Sequence, residues 1–279
     1  MYWRVHKGVA GDLLPQIEHW VSEQGDTLQV VDGAKRDLPA PVPQGYDAPG
    51  LALTTLPDAR DLSWVAIPGV YWDRRKYEVS YYLPRLAAEV PLLNRGGLFL
   101  PVGCLSEITG YPQLQEAGVF IRPDSGQKPF PGQSFAAELT SAPHRMGMAL
   151  IGLVAAYKLP PELMCYLAPA KALEASEWRL WVVNRKVVAW TPYSWTEDLP
   201  WAPAPDSVLA AAEAMAANPW QPDIAYVVDV GISNGCAYVL ELNAASTSGL
   251  YQVPVPALFS ALRAACILEA AGELESVPA

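Results

Sequence analysis

Apolar and polar positions alternate along this chain in short runs. The runs predict a strand at Met1–His6, then a helix over Gly11–Gln24 whose Leu13, Leu14, Ile17, Trp20 and Val21 recur at helical spacing. Leu28–Val31 reads as a second strand, and the Pro/Gly-rich run after it as loop or edge structure. Leu62–Ile67 is predicted as a buried strand stopped by Pro68-Gly69, Tyr77–Val90 as a helix interrupted near Pro84, and Leu98–Leu100 as a strand. A helix at Leu105–Ala117 leads into a strand, Gly118–Arg122, and a loop from Pro123 to Gly132. Helical segments follow at Phe135–Ser141 and Arg145–Tyr157, with strands at Leu163–Leu167, Ser176–Val183 and Val187–Trp190. The proline- and tryptophan-rich run Tyr193–Pro205 reads as loop, with Asp206 capping a helix through Ala217 and a last helix over Val255–Ala271.

The most informative stretch lies between those two helices. Tyr226–Val230 and Ala237–Leu242 are apolar strands joined through Ser233-Asn234-Gly235, a hairpin signal. Asp229, Glu241 and Asn243 bring hard oxygen atoms into this ribbon. Register decides whether they meet, because side chains alternate faces. A two-residue loop pairs Asp229 with Leu240 and sends Glu241 to the other face. A three-residue loop, Ser233–Gly235, pairs Asp229 with Val239 and Glu241 with Val227, and so gathers all three on one face. The three-residue register is the expectation, and the oxygen set suits magnesium that keeps bonds to water and phosphates. The plainer alternative is a barrel or sandwich hairpin with solvated acids.

Two further segments carry chemistry. Arg122 ends a strand and is followed by a Gly/Ser loop bearing Lys128: a candidate phosphate clamp, or a surface turn with two solvated cations. The loop lacks the G-x-x-x-x-G-K-[ST] pattern. Glu177 and Arg179 share one face of a strand, opposite Trp178 and Leu180; they are suited to ribose and phosphate, or form a surface ion pair.

Composition narrows the class. A chain of 279 residues that is 51% hydrophobic and 17% charged folds into globular domains with substantial cores. The longest apolar run, Met146–Tyr157, is too short to span a bilayer, and the N-terminus lacks the apolar core of a signal peptide. Four dispersed cysteines point to buried thiols in a reducing cytoplasm, and three histidines without ligand spacing argue against zinc. A net charge of −10 argues against a nucleic-acid partner.

In order along the chain stand PGVYWD at Pro68–Asp73, SYYLP at Ser80–Pro84, FIRPDSGQKPFPG at Phe120–Gly132 and ELNAASTSGLY at Glu241–Tyr251. This order resembles the ATP-grasp superfamily, and within it a branch common in phages and bacteria in which arginine replaces the first ATP-binding lysine, as Arg122 does here. The resemblance spans about residues 60–255. It implies an α+β fold: an N-terminal α/β domain (1–100) before two ATP-grasp subdomains (101–170 and 171–279). It implies ATP beside a hinge at Ala168–Ala170 with Glu177 on the ribose, phosphates met by Arg122 and Lys128, and magnesium held by Asp229, Glu241 and Asn243. Arg179 would stabilise the transferring phosphoryl group or a tetrahedral intermediate. Ser80, Ser246, Ser248 and Tyr251 would face the acceptor, although Ser246–Gly249 also reads as a polar turn capping the final helix. The implied reaction is carboxylate–amine ligation through an acyl phosphate, on small-molecule or peptide substrates. A small-molecule kinase and a nucleotide-binding interaction protein fit the same residues, and oligomeric state is left open.

Overall fold

The computed structural model describes residues 1–32, 49–56, 68–140, 142–174, 177–194 and 199–274. The strand expected at Leu62–Ile67 lies outside them. The chain forms two compact units, one of Met1–Asp73, Leu86–Pro91 and Glu174–Ala279, the other of Arg74–Arg85 and Leu92–Leu173.

The first unit begins with a parallel sheet. β1 (Tyr2–His6) lies between β2 (Thr27–Val31) and β3 (Gly50–Leu53). The sequence pattern treats β3 as loop or edge, since four apolar residues beside a Pro/Gly run carry no readable period. Tertiary pairing with β1 makes it a buried strand. Trp3 of β1 stacks on Phe259 at 4.9 Å and meets Trp20 edge-on at 5.6 Å, joining the helix Leu14–Glu23 to the final helix Val255–Ala270. Such ring pairs add about 0.5–1.5 kcal/mol each beyond their buried area.

The second unit is built on an antiparallel sheet in the order β4 (Leu98–Pro101), β7 (Met164–Pro169), β5 (Val119–Pro123), β6 (Gln133–Phe135). The helix Pro143–Tyr157 contributes Met146, Leu150 and Leu153 to its core. The helix expected at Leu105–Ala117 is instead a 3-10 stretch, Val102–Gly110, and a helix, Pro112–Ala117. Tyr111, between them, is extended (φ −110°, ψ 97°) because the following proline disfavours a helical residue before it. The helix expected at Tyr77–Val90 is instead a one-turn α-helix, Val79–Tyr82, between 3-10 segments at Arg74–Tyr77 and Leu83–Arg85.

Returning to the first unit, β8 (Glu177–Val183), β9 (Lys186–Tyr193), β10 (Ala225–Ser233) and β11 (Cys236–Ala244) form an antiparallel sheet in the order β11-β10-β8-β9. The N-cap of the helix Asp206–Ala216 is Pro205; Asp206 is its first residue and makes no capping bond, so its charge acts only on the first turn. All four cysteines are free; Cys165 and Cys266 are buried, whereas Cys236 is exposed at the β10–β11 turn. Among the described residues no helix is long and apolar enough to cross a membrane.

Candidate functional site

The hairpin β10–β11 brings its three oxygen-bearing residues to one face, by a route other than the expected one. The loop has two residues: Ser233 pairs with Cys236, and Asn234 (φ 51°) and Gly235 (φ 73°) both take the left-handed conformation of a primed hairpin turn. Continued regularly, this register would set Asp229 against Leu240. A β-bulge between Asp229 and Val230 shifts the ladder, leaves Leu240 as the extra residue and pairs Asp229 with Glu241. Asn243, two residues on, shares their face.

Across the sheet Asp229 also pairs with Arg179 of β8. The guanidinium grips the carboxylate with both prongs, Nε to Oδ1 at 2.9 Å and Nη2 to Oδ2 at 2.8 Å. Their side chains are 6% and 1% exposed, so the pair sits where charges interact strongly. Asn243 Nδ2 donates to Asp229 Oδ2 at 2.7 Å and to Glu241 Oε1 at 3.1 Å. Two rings cover the guanidinium: Tyr193 at 4.7 Å and Tyr251 at 5.2 Å, with centroids 5.3 Å apart. Tyr251 has a left-handed backbone (φ 48°), unfavourable for a bulky residue and therefore held by its surroundings.

Glu177 completes an acidic group. It shares a strand face with Arg179, and Gly231, opposite it on β10, leaves room. Burial, then the carboxylates of Asp229 and Glu241, push its carboxyl up to about 7, against the pull of Arg179 and a hydrogen bond from Tyr193. Burial alone would lower Arg179; the Asp229 carboxylate outweighs it and holds the guanidinium charged. Three carboxylates thus face one cation, an imbalance that a divalent metal would correct.

Among the described residues no three His, Cys, Asp or Glu side chains converge on a metal position by themselves. The set that fits magnesium is therefore mixed: the carboxylates of Asp229 and Glu241 with the amide of Asn243. Hard oxygens, few protein donors and surplus negative charge are what that ion selects.

Other expected site residues have quieter surroundings. Ser246 Oγ accepts from the Tyr71 N–H at 2.9 Å, and Ser248 Oγ donates to the Ala244 carbonyl at 2.8 Å; both residues are buried. In the second unit Arg122 is buried on β5 opposite Tyr166, and Ala168 of β7 is buried opposite Phe120. Ala170 N–H bonds the Gly118 carbonyl at 3.1 Å. Lys128 ends a tight turn, with a left-handed backbone (φ 45°) and its N–H bonded to the Ser125 carbonyl at 3.1 Å. Ser80 N–H donates to the Asp124 carboxylate at 3.0 Å.

Sequence reasoning missed Tyr193, which it assigned to a loop. β9 runs through Tyr193 and pairs it with Glu177. Continuing the alternation Ala189, Thr191, Tyr193 past Pro192 would have found it; the proline fits because β9 is an edge strand.

An antiparallel sheet carrying the acid–amide hairpin, together with a second α+β unit that has its own strand-loop cations, is the ATP-grasp fold. Residues 149–262 match a family described as an ATP-grasp domain, family 3 of its clade. Similar solved structures include D-cycloserine synthetase DcsG (15% identity, TM-score 0.57, covering 98% of this chain and 99% of that one). D-alanine–D-alanine ligase from Bacillus anthracis is similar at 11% identity and TM-score 0.55 (98% and 99% covered). The ATP-grasp ligase PsnB, complexed with a minimal precursor, is similar at 15% identity and TM-score 0.54 (94% and 98% covered). At these identities the likeness is one of fold. No curated protein matches the chain in sequence.

Proposed function

We propose that this protein is an ATP-dependent carboxylate–amine ligase that works through an acyl phosphate and requires magnesium. The observation that carries the reading is the Asp229–Glu241–Asn243 face with Arg179 locked onto Asp229, set in an ATP-grasp sheet. The solved ligases of this fold support the reaction class by analogy of architecture.

Each group of residues then has a task. Arg122 and Lys128 meet phosphate oxygens, the first as a fixed planar fork and the second as a mobile point charge. Ala168 of β7 and Ala170 just beyond its end, both small, leave space for the adenine edge, and Glu177 accepts from the ribose. Asp229, Glu241 and Asn243 hold magnesium, which when bound neutralises phosphate charge. Arg179 offers charge beside them while keeping Asp229 oriented. A substrate carboxylate oxygen attacks the γ-phosphorus, the bond to the β–γ bridging oxygen breaks, and ADP leaves. The amine nitrogen then attacks the acyl carbon, the carbon–oxygen bond to phosphate breaks, and the amine proton passes to phosphate or solvent. Positioning and charge neutralisation carry most of such a reaction. Tyr251 and Ser80 are assigned to the acceptor; Ser246 and Ser248, through their backbone bonds, shape the loop that carries Tyr251.

The test is an ADP-release assay over amino acids, peptides and polyamines, with mass spectrometry of the product. Asp229→Asn combined with Glu241→Gln is expected to remove ADP release by at least about a hundredfold, as loss of transition-state charge stabilisation does. Because Asp229→Asn leaves the buried Arg179 without its carboxylate partner, the melting temperature should fall, and ADP release is read at a temperature where the variant is still folded. Full ADP release by the double variant would dismiss the metal assignment.

A further inference from the structure

The loop that carries Tyr251 opens on a 3-10 turn, Ala245–Thr247, directly after β11. Ser246, in the middle of that turn, is buried and bonded through its side chain and its backbone. Its Oγ accepts from Tyr71 N–H at 2.9 Å, and its own N–H donates to the Tyr71 carbonyl at 3.3 Å. The Ser246 carbonyl accepts from Thr54 N–H, just past β3, at 2.6 Å. At the other end of the loop Leu250 N–H donates to the Val9 carbonyl at 3.2 Å. Between these two anchors and the sheet stands Tyr251, left-handed (φ 48°) and with its ring on Arg179. A bulky residue keeps that conformation only while its surroundings hold it.

The segment that grips Ser246 is itself gripped. The Gly69 carbonyl accepts from Ala52 N–H of β3 at 3.2 Å, and Gly69 N–H donates to Glu269 Oε2, on the last helix, at 3.0 Å. The approach is close: Gly69 has φ 89°, and an added Cβ would lie 2.2 Å from the Gly50 carbonyl oxygen and 2.8 Å from Cys266 Sγ. Only glycine fits there, between β3 and the last helix. Burial disfavours the charge of Glu269 and raises its carboxyl, and the Gly69 N–H works against that rise. A run of contacts thus leads from Glu269 through Gly69 and Tyr71 to Ser246, all within the first unit.

We propose that Glu269 is a positioning residue for the acceptor loop: through Gly69 and Tyr71 it sets Ser246, and with it the placement of Tyr251 over Arg179. The proposal rests on the ligase reading and extends it to a residue that touches no reacting group. Loss of Glu269 should therefore be felt by the acceptor and not by ATP.

The test compares the parent with Glu269→Ala, Glu269→Gln and Ser246→Ala in the full chain, using the amino acid, peptide or polyamine that gives the largest ADP release in the assay above. Glu269→Ala should lower kcat/KM for that acceptor roughly tenfold, as loss of a hydrogen bond to a charged group implies, with the KM for ATP near the parent's. Glu269→Gln keeps an oxygen that accepts from Gly69 N–H and should recover most of the loss. Glu269→Ala combined with Ser246→Ala should cost less than the two separate losses added, because both break one run of contacts. A lower melting temperature with unchanged constants, strictly additive losses, or an equal weakening of ATP would each overturn the proposal. Should Glu269→Ala not fold, Glu269→Asp, whose carboxylate stops one methylene short of Gly69, replaces it under the same criteria. Hydrogen exchange reads the coupling without turnover: residues 244–251 should exchange faster than in the parent when Glu269 is shortened, and near the parent's rate in Glu269→Gln. Unchanged exchange would overturn the proposal whatever the kinetics. Faster exchange in a protein that releases ADP with none of the substrates would uphold the coupling of Glu269 to this loop and remove the ligase reading.

Discussion

At the scale of single residues, the unusual group is Glu177. Its carboxyl is pushed from 4.5 to about 7 by burial and by Asp229 and Glu241, so the folded protein holds that proton more tightly than the unfolded chain does. The sign follows from linkage. Between pH 4.5 and about 7 the unfolded state ionises first, and stability falls as pH rises; above that window the loss is complete. Glu177→Gln should therefore melt at a higher temperature than the parent above pH 7, with a flatter profile between pH 5 and 7. Magnesium should have the opposite effect on the parent, drawing the carboxyl back down and raising the melting temperature through binding to the folded state. Melting curves against pH, with and without magnesium, check both. Identical profiles for parent and variant would remove Glu177 from the acidic group.

At the scale of elements, the hairpin β10–β11 depends on its turn. Gly235 has φ 73°, and an added Cβ would touch nothing within 4 Å, so substitution there carries a backbone cost and no clash. Gly235→Ala should destabilise by about 1–2 kcal/mol, the penalty of a left-handed L-residue, measurable by urea denaturation. Because the bulge lies at Asp229 and not at the turn, the folded variant should keep its magnesium affinity. A large loss of affinity would mean that the turn sets the register of the site.

At the scale of the molecule, Asp26, just past the helix Leu14–Glu23, ties that end of the helix to the last one, Val255–Ala270. It accepts from Trp3 Nε1 at 3.0 Å, from the Met1 ammonium at 3.0 Å, and from Arg263 Nε and Nη2 at 2.8 and 3.1 Å. Burial by itself would raise its carboxyl, but Arg263, Trp3 and the ammonium outweigh that and hold it down, from 3.8 to about 2. The stabilisation is present above pH 3.8 and lost as pH falls toward 2. Asp26→Asn should melt lower than the parent at neutral pH and lose less stability on acidification through that window. Parallel curves would show that the ion pair contributes nothing to the junction.

What was legible in the chain was whatever depends on neighbours in sequence. Helix Pro143–Tyr157 and strand β8 follow from local periodicity, and the identity of Asp229, Glu241 and Asn243 follows from hard oxygens placed in an apolar ribbon. β3 was not legible, because four residues beside prolines become a strand only when β1 lies alongside them. Register was not legible either. The chain's alternation allows a three-residue loop, or a two-residue loop with a bulge, and both gather the acids on one face. Packing of β10 between β8 and β11 selected the second, in which Asp229 faces Glu241 on one side and Arg179 on the other. Side-chain chemistry is a local property and survives in the sequence; which groups share a face is a non-local pairing, and only the folded sheets decide it.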